Sequence, residues 1–188
     1  NKANNDAVYI DDFSIQSRPD NSFSLTGRIT ENNAALENIL IKIQPGDMTA
    51  LTDQNGEFTI YVESGWSGTV TPANPQYIYT PAYREIYSID EDMPNIDFDA
   101  KRLPSGWIYN ITNNSHTFCI PKSALNLDDI GNGTWIGTFY SKNDNFYCCG
   151  AMYVDTTISQ CMSSWAANPD TQDTLGFTEG TEIYWKIY

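Results

Sequence analysis

The sequence predicts an all-β protein made of two β-sandwich modules in tandem. From Phe23 onward, apolar and polar residues alternate in short segments, which is the side-chain period of a half-buried strand. Turn signals separate these segments, and no long stretch has the period of a helix. Aromatic residues make up 13% of the 188 residues, including 12 tyrosines and 5 tryptophans, and such flat, stiff side chains favour strands.

The first module is predicted to cover residues 23–100. Its clearest strands are FSLTGRIT, ENILIKIQ and EFTIYVE, in which alternate residues are apolar. Residues 51–72, LTDQNGEFTIYVESGWSGTVTP, are interpreted as a hairpin followed by the next strand. Asp53 and Asn55 serve the tight turn there, because short polar side chains bond the backbone of turns. Further short strands are predicted in REIYSID and NIDFDA, and this spacing of strands and turns is typical of a β-sandwich.

The second module is predicted to cover residues 103–188. Lys101 and Arg102 interrupt the acidic run before it, and Pro104 follows, so the boundary is placed near residues 100–104. HTFCIP, CMSSWAA and IYWKIY are predicted strands. TWIGTFYSKNDNFYCCGAMYVD is predicted to form a long hairpin that turns at SKNDN. A short turn in SALNLDD is the one helical candidate in the sequence.

Residues 1–22 are predicted to be a polar leader that contains a docking strand, AVYIDDFSI. The opening NKANND is typical of a polar segment left after removal of a targeting peptide. We therefore expect an exported protein, at the cell surface or secreted, with an N-terminal lipid tether in its native form. No stretch approaches the roughly 18 apolar residues of a membrane-spanning helix.

The charge of the chain argues against two classes of partner. The formal net charge is −14, which repels phosphate backbones and anionic lipid, so neither nucleic acid nor a bare acidic membrane is an expected partner. Residues 1–100 contribute −11 and residues 101–188 contribute −3. This difference favours two modules with different surfaces.

The four cysteines all lie in the second module, at Cys119, Cys148, Cys149 and Cys161. They lack the paired spacing of a zinc site. Cys148 and Cys149 would point to opposite faces of a strand and would not bridge each other. One or two disulfides that use Cys119 and Cys161 are expected in an oxidising compartment. Buried free thiols are the equal alternative, and the pairing stays open.

A family resemblance covers about residues 23–100. It is carried by LTGRIT, LTDQNGEF, GWSGTVTP and a following pattern of Tyr77, Tyr79, Pro81, Ala82 and Arg84. This stretch resembles the carboxypeptidase regulatory-like domain, a transthyretin-like (prealbumin-like) or Cna-B-like β-sandwich. The resemblance implies a non-catalytic structural spacer on bacterial surface or secreted proteins.

The second module resembles a β-rich module that recurs in extracellular proteins of Bacteroidetes-like bacteria. The resemblance covers about residues 103–188. The residues that carry it are Leu103-Pro104, Gly106-Trp107, His116-Thr117, Ile120-Pro121, Ile136-Gly137, Phe139-Tyr140, Cys149-Gly150, Trp165, Gly176-Phe177, Gly180-Thr181-Glu182 and Trp185-Lys186. It implies an extracellular location and no particular activity.

The sequence favours no catalytic, metal or cofactor site. His116 is the single histidine, and it lies on a predicted strand without an adjacent nucleophile. Asp90, Glu91 and Asp92, and likewise Asp170 and Asp173, do not follow the spacing of a calcium loop. The aromatic residues are the stronger signal, because exposed rings stack on sugars and anchor protein partners. The candidate ligand-binding residues are Trp107, Trp135, Tyr140, Tyr147 and Trp165, with burial in a core as the alternative.

We therefore predict a non-catalytic surface or secreted protein that acts in adhesion or binding. The first module would be a spacer, and the second would recognise a glycan or a host or surface protein. Two alternatives stay open at this stage. One is a pair of accessory domains, carbohydrate-binding or spacer, from a larger secreted enzyme. The other is a structural subunit that assembles by strand addition.

Overall fold

The prediction of an all-β fold is confirmed. A computed structural model describes residues 18–125, 130–167 and 176–188. The strands are β1 (Ser22–Glu31), β2 (Ala34–Ala35), β3 (Leu40–Gln44), β4 (Met48–Leu51), β5 (Glu57–Glu63), β6 (Gly68–Pro72), β7 (Tyr77–Thr80), β8 (Arg84–Ile86), β9 (Phe98–Arg102), β10 (Ser115–Ile120), β11 (Trp135–Lys142), β12 (Asn145–Tyr153), β13 (Gln160–Trp165) and β14 (Ile183–Ile187). Within these described ranges the helical structure is one 3₁₀ turn, Lys122–Ala124, which overlaps the start of the helical candidate SALNLDD. The predicted docking strand AVYIDDFSI lies outside the described residues.

The strands of the N-terminal half form two sheets around one core. One sheet has the order β2-β1-β9-β7, with β5 also paired to β1, and the other has the order β4-β3-β6-β8. The apolar side chains of the alternating segments fill the space between the two sheets as expected, because every second side chain of a strand faces the same side. Ile39, Ile41 and Ile43 are buried there, and so are the apolar residues of β5.

The turn at residues 53–57 shows why the sequence has short polar residues at this position. The Asp53 carboxylate accepts hydrogen bonds from the backbone N–H groups of Asn55 (2.8 Å) and Glu57 (2.9 Å). Gly56 follows with a φ of 74°, a conformation that glycine adopts without steric cost. Asp53 therefore has the structural role predicted for it, but the predicted hairpin is wrong. β4 pairs with β3, whereas β5 pairs with β1, so the turn carries the chain from one sheet to the other and β6 returns it to the first.

The strands of the C-terminal half form two smaller sheets. One has the order β12-β11-β14, and the other is the pair β10-β13. Asn143 and Asp144 connect β11 to β12 with φ angles of 53° and 60°, the positive values that tight two-residue hairpins require. The long hairpin predicted between Trp135 and Val154 is therefore present.

The β10-β13 pair packs on one face of the three-stranded sheet. The buried hydroxyls of Thr138 and Ser164 lie 2.6 Å apart across this contact. Gly150 permits the close approach, because a Cβ at that position would lie 2.2 Å from the carbonyl oxygen of Ser163. The opposite face of the sheet is covered by Leu103 and Trp107.

Core membership changes at residues 100–103. Ala100 belongs to the core of the N-terminal half, whereas Leu103 belongs to the cluster around Trp107 and Trp135. Ile78 of β7 packs against this second cluster, so the halves are in apolar contact. Whether the two halves are independent modules stays a prediction.

The described ranges contain no helix with the length and apolar character needed to cross a membrane.

Candidate functional site

Three of the five aromatic residues singled out from the sequence meet at one cavity of about 180 Å³. We call this cavity the aromatic cleft. It is lined by Ile108, Tyr109, Asn110, Tyr140, Tyr147, Cys148, Cys149, Trp165 and Gly176. Its residues come from the segment after Trp107, from both strands of the long hairpin and from the end of β13. The fold therefore assembles the cleft from positions that are far apart in the sequence.

Two tyrosines form one wall of the aromatic cleft. Tyr140 on β11 is the direct cross-strand partner of Tyr147 on β12, and their rings stack with centroids 5.6 Å apart and an interplanar angle of 28°. Tyr140 is buried, and its hydroxyl accepts a hydrogen bond of 3.0 Å from the backbone N–H of Gly176. Tyr147 is 42% exposed. Tyr140 therefore supports the ring of Tyr147, which is open to a ligand.

A bulge in the hairpin shapes the floor of the cleft. The register of β11 against β12 shifts between Thr138 and Phe139, which leaves Cys149 without a direct partner on β11. Bulges of this kind bend a strand and redirect side chains. Cys148 then joins the cluster of Trp107, while Cys149 packs with Tyr140 and Phe177 on the other face.

The described lining of the cleft is uncharged at neutral pH. Burial raises the pKa of the Cys148 thiol to about 12 and also raises the pKa of Cys149. Burial, followed by the nearby Cys148, raises the pKa of Tyr109 to about 12. Both thiols are therefore protonated and unreactive, because the thiolate is the nucleophilic form. No Asp, Glu, Lys or Arg is among the described residues that line the cleft.

The other two candidate residues lie in the core instead. Trp107 packs edge-on against Phe139 at 5.2 Å, and Trp135 packs edge-on against Tyr153 at 5.2 Å. Both tryptophans are buried, because they fill the face of the sheet that Leu103 also covers. Their rings are not available for stacking, which corrects the expectation that they contribute to a contact surface.

The cysteines divide between the two expected states. Cys119 and Cys161 are direct cross-strand partners on β10 and β13 and form a disulfide. Cys148 and Cys149 are free and buried. Neither Cys119 nor Cys161 is among the residues that line the cleft.

His116 lies at a different, more open groove of about 750 Å³ between the start of β10 and residues 177–183. Its ring centroid is 5.4 Å from that of Phe177. Across residues 18–125, 130–167 and 176–188, no hydrogen bond joins His116 to a nucleophile or a carboxylate. The same ranges hold no group of three His, Cys, Asp or Glu residues arranged to bind a metal ion. Asp170 and Asp173 lie outside the described residues.

Comparison with known proteins adds little to this description. No family model matches the chain, and no curated protein matches it. A solved structure of a streptococcal ancillary pilin is similar, with a TM-score of 0.39 and 10% sequence identity. The similarity covers 89% of this chain and 59% of that chain, so this chain spans less than two thirds of the pilin.

Sequence reasoning missed Ile108 and Tyr109 as part of the cleft. A signal for Tyr109 was present, since in an extended segment Tyr109 lies on the same side as Trp107. Ile108 is 49% exposed beside the cleft, and that exposure has no signature in the sequence.

Proposed function

We propose that the protein is a non-catalytic bacterial surface or secreted protein that binds a ligand through the aromatic cleft. In this proposal residues 103–188 form the recognition module and residues 23–100 a transthyretin-like spacer. The observation that supports it is the cleft itself, in which the exposed ring of Tyr147 lies next to Tyr109 and Trp165. The buried Tyr140 behind it holds that ring in place.

A neutral carbohydrate fits this chemistry best. Rings of tyrosine and tryptophan present an apolar face together with a polar tip, which matches a sugar with C–H groups on one face and hydroxyls at its rim. Asn110 and the tyrosine hydroxyls supply donors and acceptors at the cleft. Because the described residues of the lining include no charged side chain, they would form no ion pair with an acidic sugar. The volume fits a single sugar ring, so the cleft would bind one residue of a longer glycan.

The Cys119–Cys161 disulfide supports the extracellular part of the proposal. Disulfides of this kind form and persist in oxidising compartments and are rare in the cytosol. An exported location also agrees with a binding role at the cell surface.

The test is binding of the intact chain to an array of neutral and acidic glycans, followed by calorimetry on any hit. We expect Tyr147→Ala to weaken binding at least about tenfold, because loss of a central aromatic contact typically costs about 2 kcal/mol. Tyr87→Ala is the matched control, since Tyr87 is an exposed tyrosine of the N-terminal half. Tyr140 is not a suitable target, because its truncation would leave a cavity in the core.

Three outcomes would overturn the proposal. One is the absence of binding to every glycan on the array. Another is unchanged affinity in a folded Tyr147→Ala variant. The third is turnover of a polysaccharide by the intact chain, which would contradict the non-catalytic assignment.

A further inference from the structure

The last strand of the described chain, β14, is an open sheet edge. It pairs with β11 on one side, and within the described ranges no other strand pairs with it. Trp135 and Tyr188 exchange both of their backbone hydrogen bonds, at 2.8 and 2.9 Å. Hydrogen-bonded pairs alternate along an antiparallel ladder, so the N–H and C=O groups of Ile183, Trp185 and Ile187 point away from β11.

This edge also exposes apolar side chains. Trp185 is 46% exposed, Ile187 is 51% exposed and Tyr188 is 74% exposed. Trp185 rests edge-on against Phe118 of β10, with ring centroids 5.1 Å apart, so its indole is held in place at the edge. Natural sheets normally protect their edges with charges, prolines, bulges or very short strands. β14 has five residues, no proline, and Lys186 as its only charged residue.

We propose that β14 is a dimerisation edge, through which two copies of this chain pair antiparallel around a two-fold axis at Trp185. The inference does not depend on the proposed glycan binding. The axis at Trp185 places all three outward-facing residues of one copy opposite those of the other. Any other centre leaves some of these groups without a partner.

The side chains in this register are complementary on both faces. On one face Trp185 lies opposite the second copy's Trp185, and Ile183 lies opposite the second copy's Ile187. On the other face Tyr184 lies opposite Lys186, and Glu182 lies opposite Tyr188. Apolar and aromatic cross-strand pairs stabilise sheets, whereas directly opposed like charges destabilise them, and this register has none.

Charge favours this edge over the rest of the surface. Each copy has a formal net charge of −14, so most surfaces of two copies repel each other. Along β14 and its flanks, Lys186 and Glu182 balance each other. The dimer would join two three-stranded sheets into one continuous sheet, with an isologous interface that closes and leaves neither copy of β14 open for further addition.

The decisive test is site-specific crosslinking of the full chain. Glu182 and Tyr188 of opposite copies form a non-hydrogen-bonded pair in this register, with Cα atoms about 4.5 Å apart, which is within the range of a disulfide. Under mild oxidation, a mixture of the Glu182→Cys and Tyr188→Cys variants is expected to give a covalent dimer. Each variant alone is the matched control and should not crosslink, because in this register the introduced cysteine does not lie opposite the same cysteine of the second copy.

Sedimentation velocity supplies the second readout. The wild-type chain is expected to sediment as a dimer, and Trp185→Lys, which opposes two ammonium groups at the axis, is expected to abolish the dimer. Tyr87→Lys is the control for an added charge at another exposed aromatic residue. Deletion of residues 1–17 should leave the dimer unchanged.

Several results would overturn the proposal. These are a wild-type chain that stays monomeric at every concentration, a dimer that survives Trp185→Lys, and a mixture of cysteine variants that does not crosslink. A dimer lost on deletion of residues 1–17 would also overturn it, because the contact between copies would then depend on the segment that contains AVYIDDFSI and not on β14 alone.

Discussion

At the scale of single residues, Thr52 is the most informative polar group in the core. It is 2% exposed, and its hydroxyl accepts the backbone N–H of Ile39 at 2.9 Å and donates to the carbonyl of Leu36 at 2.6 Å. The hydroxyl therefore holds the loop before β3 against the strand end at Leu51. An unpaired donor or acceptor in such a place costs its full desolvation penalty.

Thr52→Val is expected to lower the free energy of unfolding by about 1–3 kcal/mol, because it keeps the shape but removes the hydroxyl. Urea denaturation measures the change. Thr52→Ser, which keeps the hydroxyl and loses a methyl group, should cost about 0.8 kcal/mol. A valine variant at least as stable as the serine variant would contradict this role of the hydroxyl.

Residue-scale prediction from sequence succeeded where a period repeats and failed where a partner is distant. The burial of Ile39, Ile41 and Ile43 follows from alternation alone, because neighbours on a strand face opposite sides. Thr52 carries no such signal, since its partners lie in a loop 13 and 16 residues before it. The same limit applies to Trp107, whose burial depends on packing against a strand that begins at Trp135.

At the scale of elements, the Cys119–Cys161 disulfide ties β10 to β13 over a sequence separation of 42 residues. Loop-closure entropy predicts a stabilisation of about 4 kcal/mol for a loop of that length. Replacing both cysteines by serine is therefore expected to lower the free energy of unfolding by up to about that amount in urea denaturation.

The control for this experiment is wild-type protein treated with a thiol reductant, which should lose stability to a similar extent, whereas the double serine variant should not respond. Thiol titration of the denatured, unreduced wild type should detect Cys148 and Cys149 and no others. Detection of all four thiols, or equal stability of the double variant, would contradict the disulfide.

Element-scale prediction depended on the strength of the local pattern. The hairpin of β11 and β12 was predicted because two apolar, aromatic runs flank a polar turn. The bulge between Thr138 and Phe139 was not, because a one-residue shift of register leaves both strands with the same composition. That bulge shapes the aromatic cleft, so the residues of the cleft were predicted in part, but not their arrangement around Cys148 and Cys149.

At the scale of the whole molecule, the thiol of Cys148 and the phenol of Tyr109 make stability depend on pH in the alkaline range. Burial raises the pKa of Cys148 from its ordinary value of 9.0 to about 12 and that of Tyr109 from 10.0 to about 12. In the unfolded chain both groups lose their protons at their ordinary values, while the folded protein still holds them. The folded state therefore binds more protons between about pH 9 and pH 12, and stability falls as pH rises through that window.

Below about pH 9 these two groups should not change the free energy of unfolding with pH. Above about pH 9 the free energy of unfolding should decline steadily. Urea denaturation of the intact, unreduced chain at successive pH values measures the slope.

The Cys148→Ala and Tyr109→Phe variants each remove one titrating group, so each should show a shallower decline above pH 9, whatever its stability at neutral pH. The two groups lie in the same cleft, and Cys148 contributes to the raised pKa of Tyr109, so the double variant should lose less of the slope than the two single variants together. A wild-type decline that neither variant changes would show that the cleft opens to water in the folded protein, and would also argue against its use as a dry platform for a sugar ring.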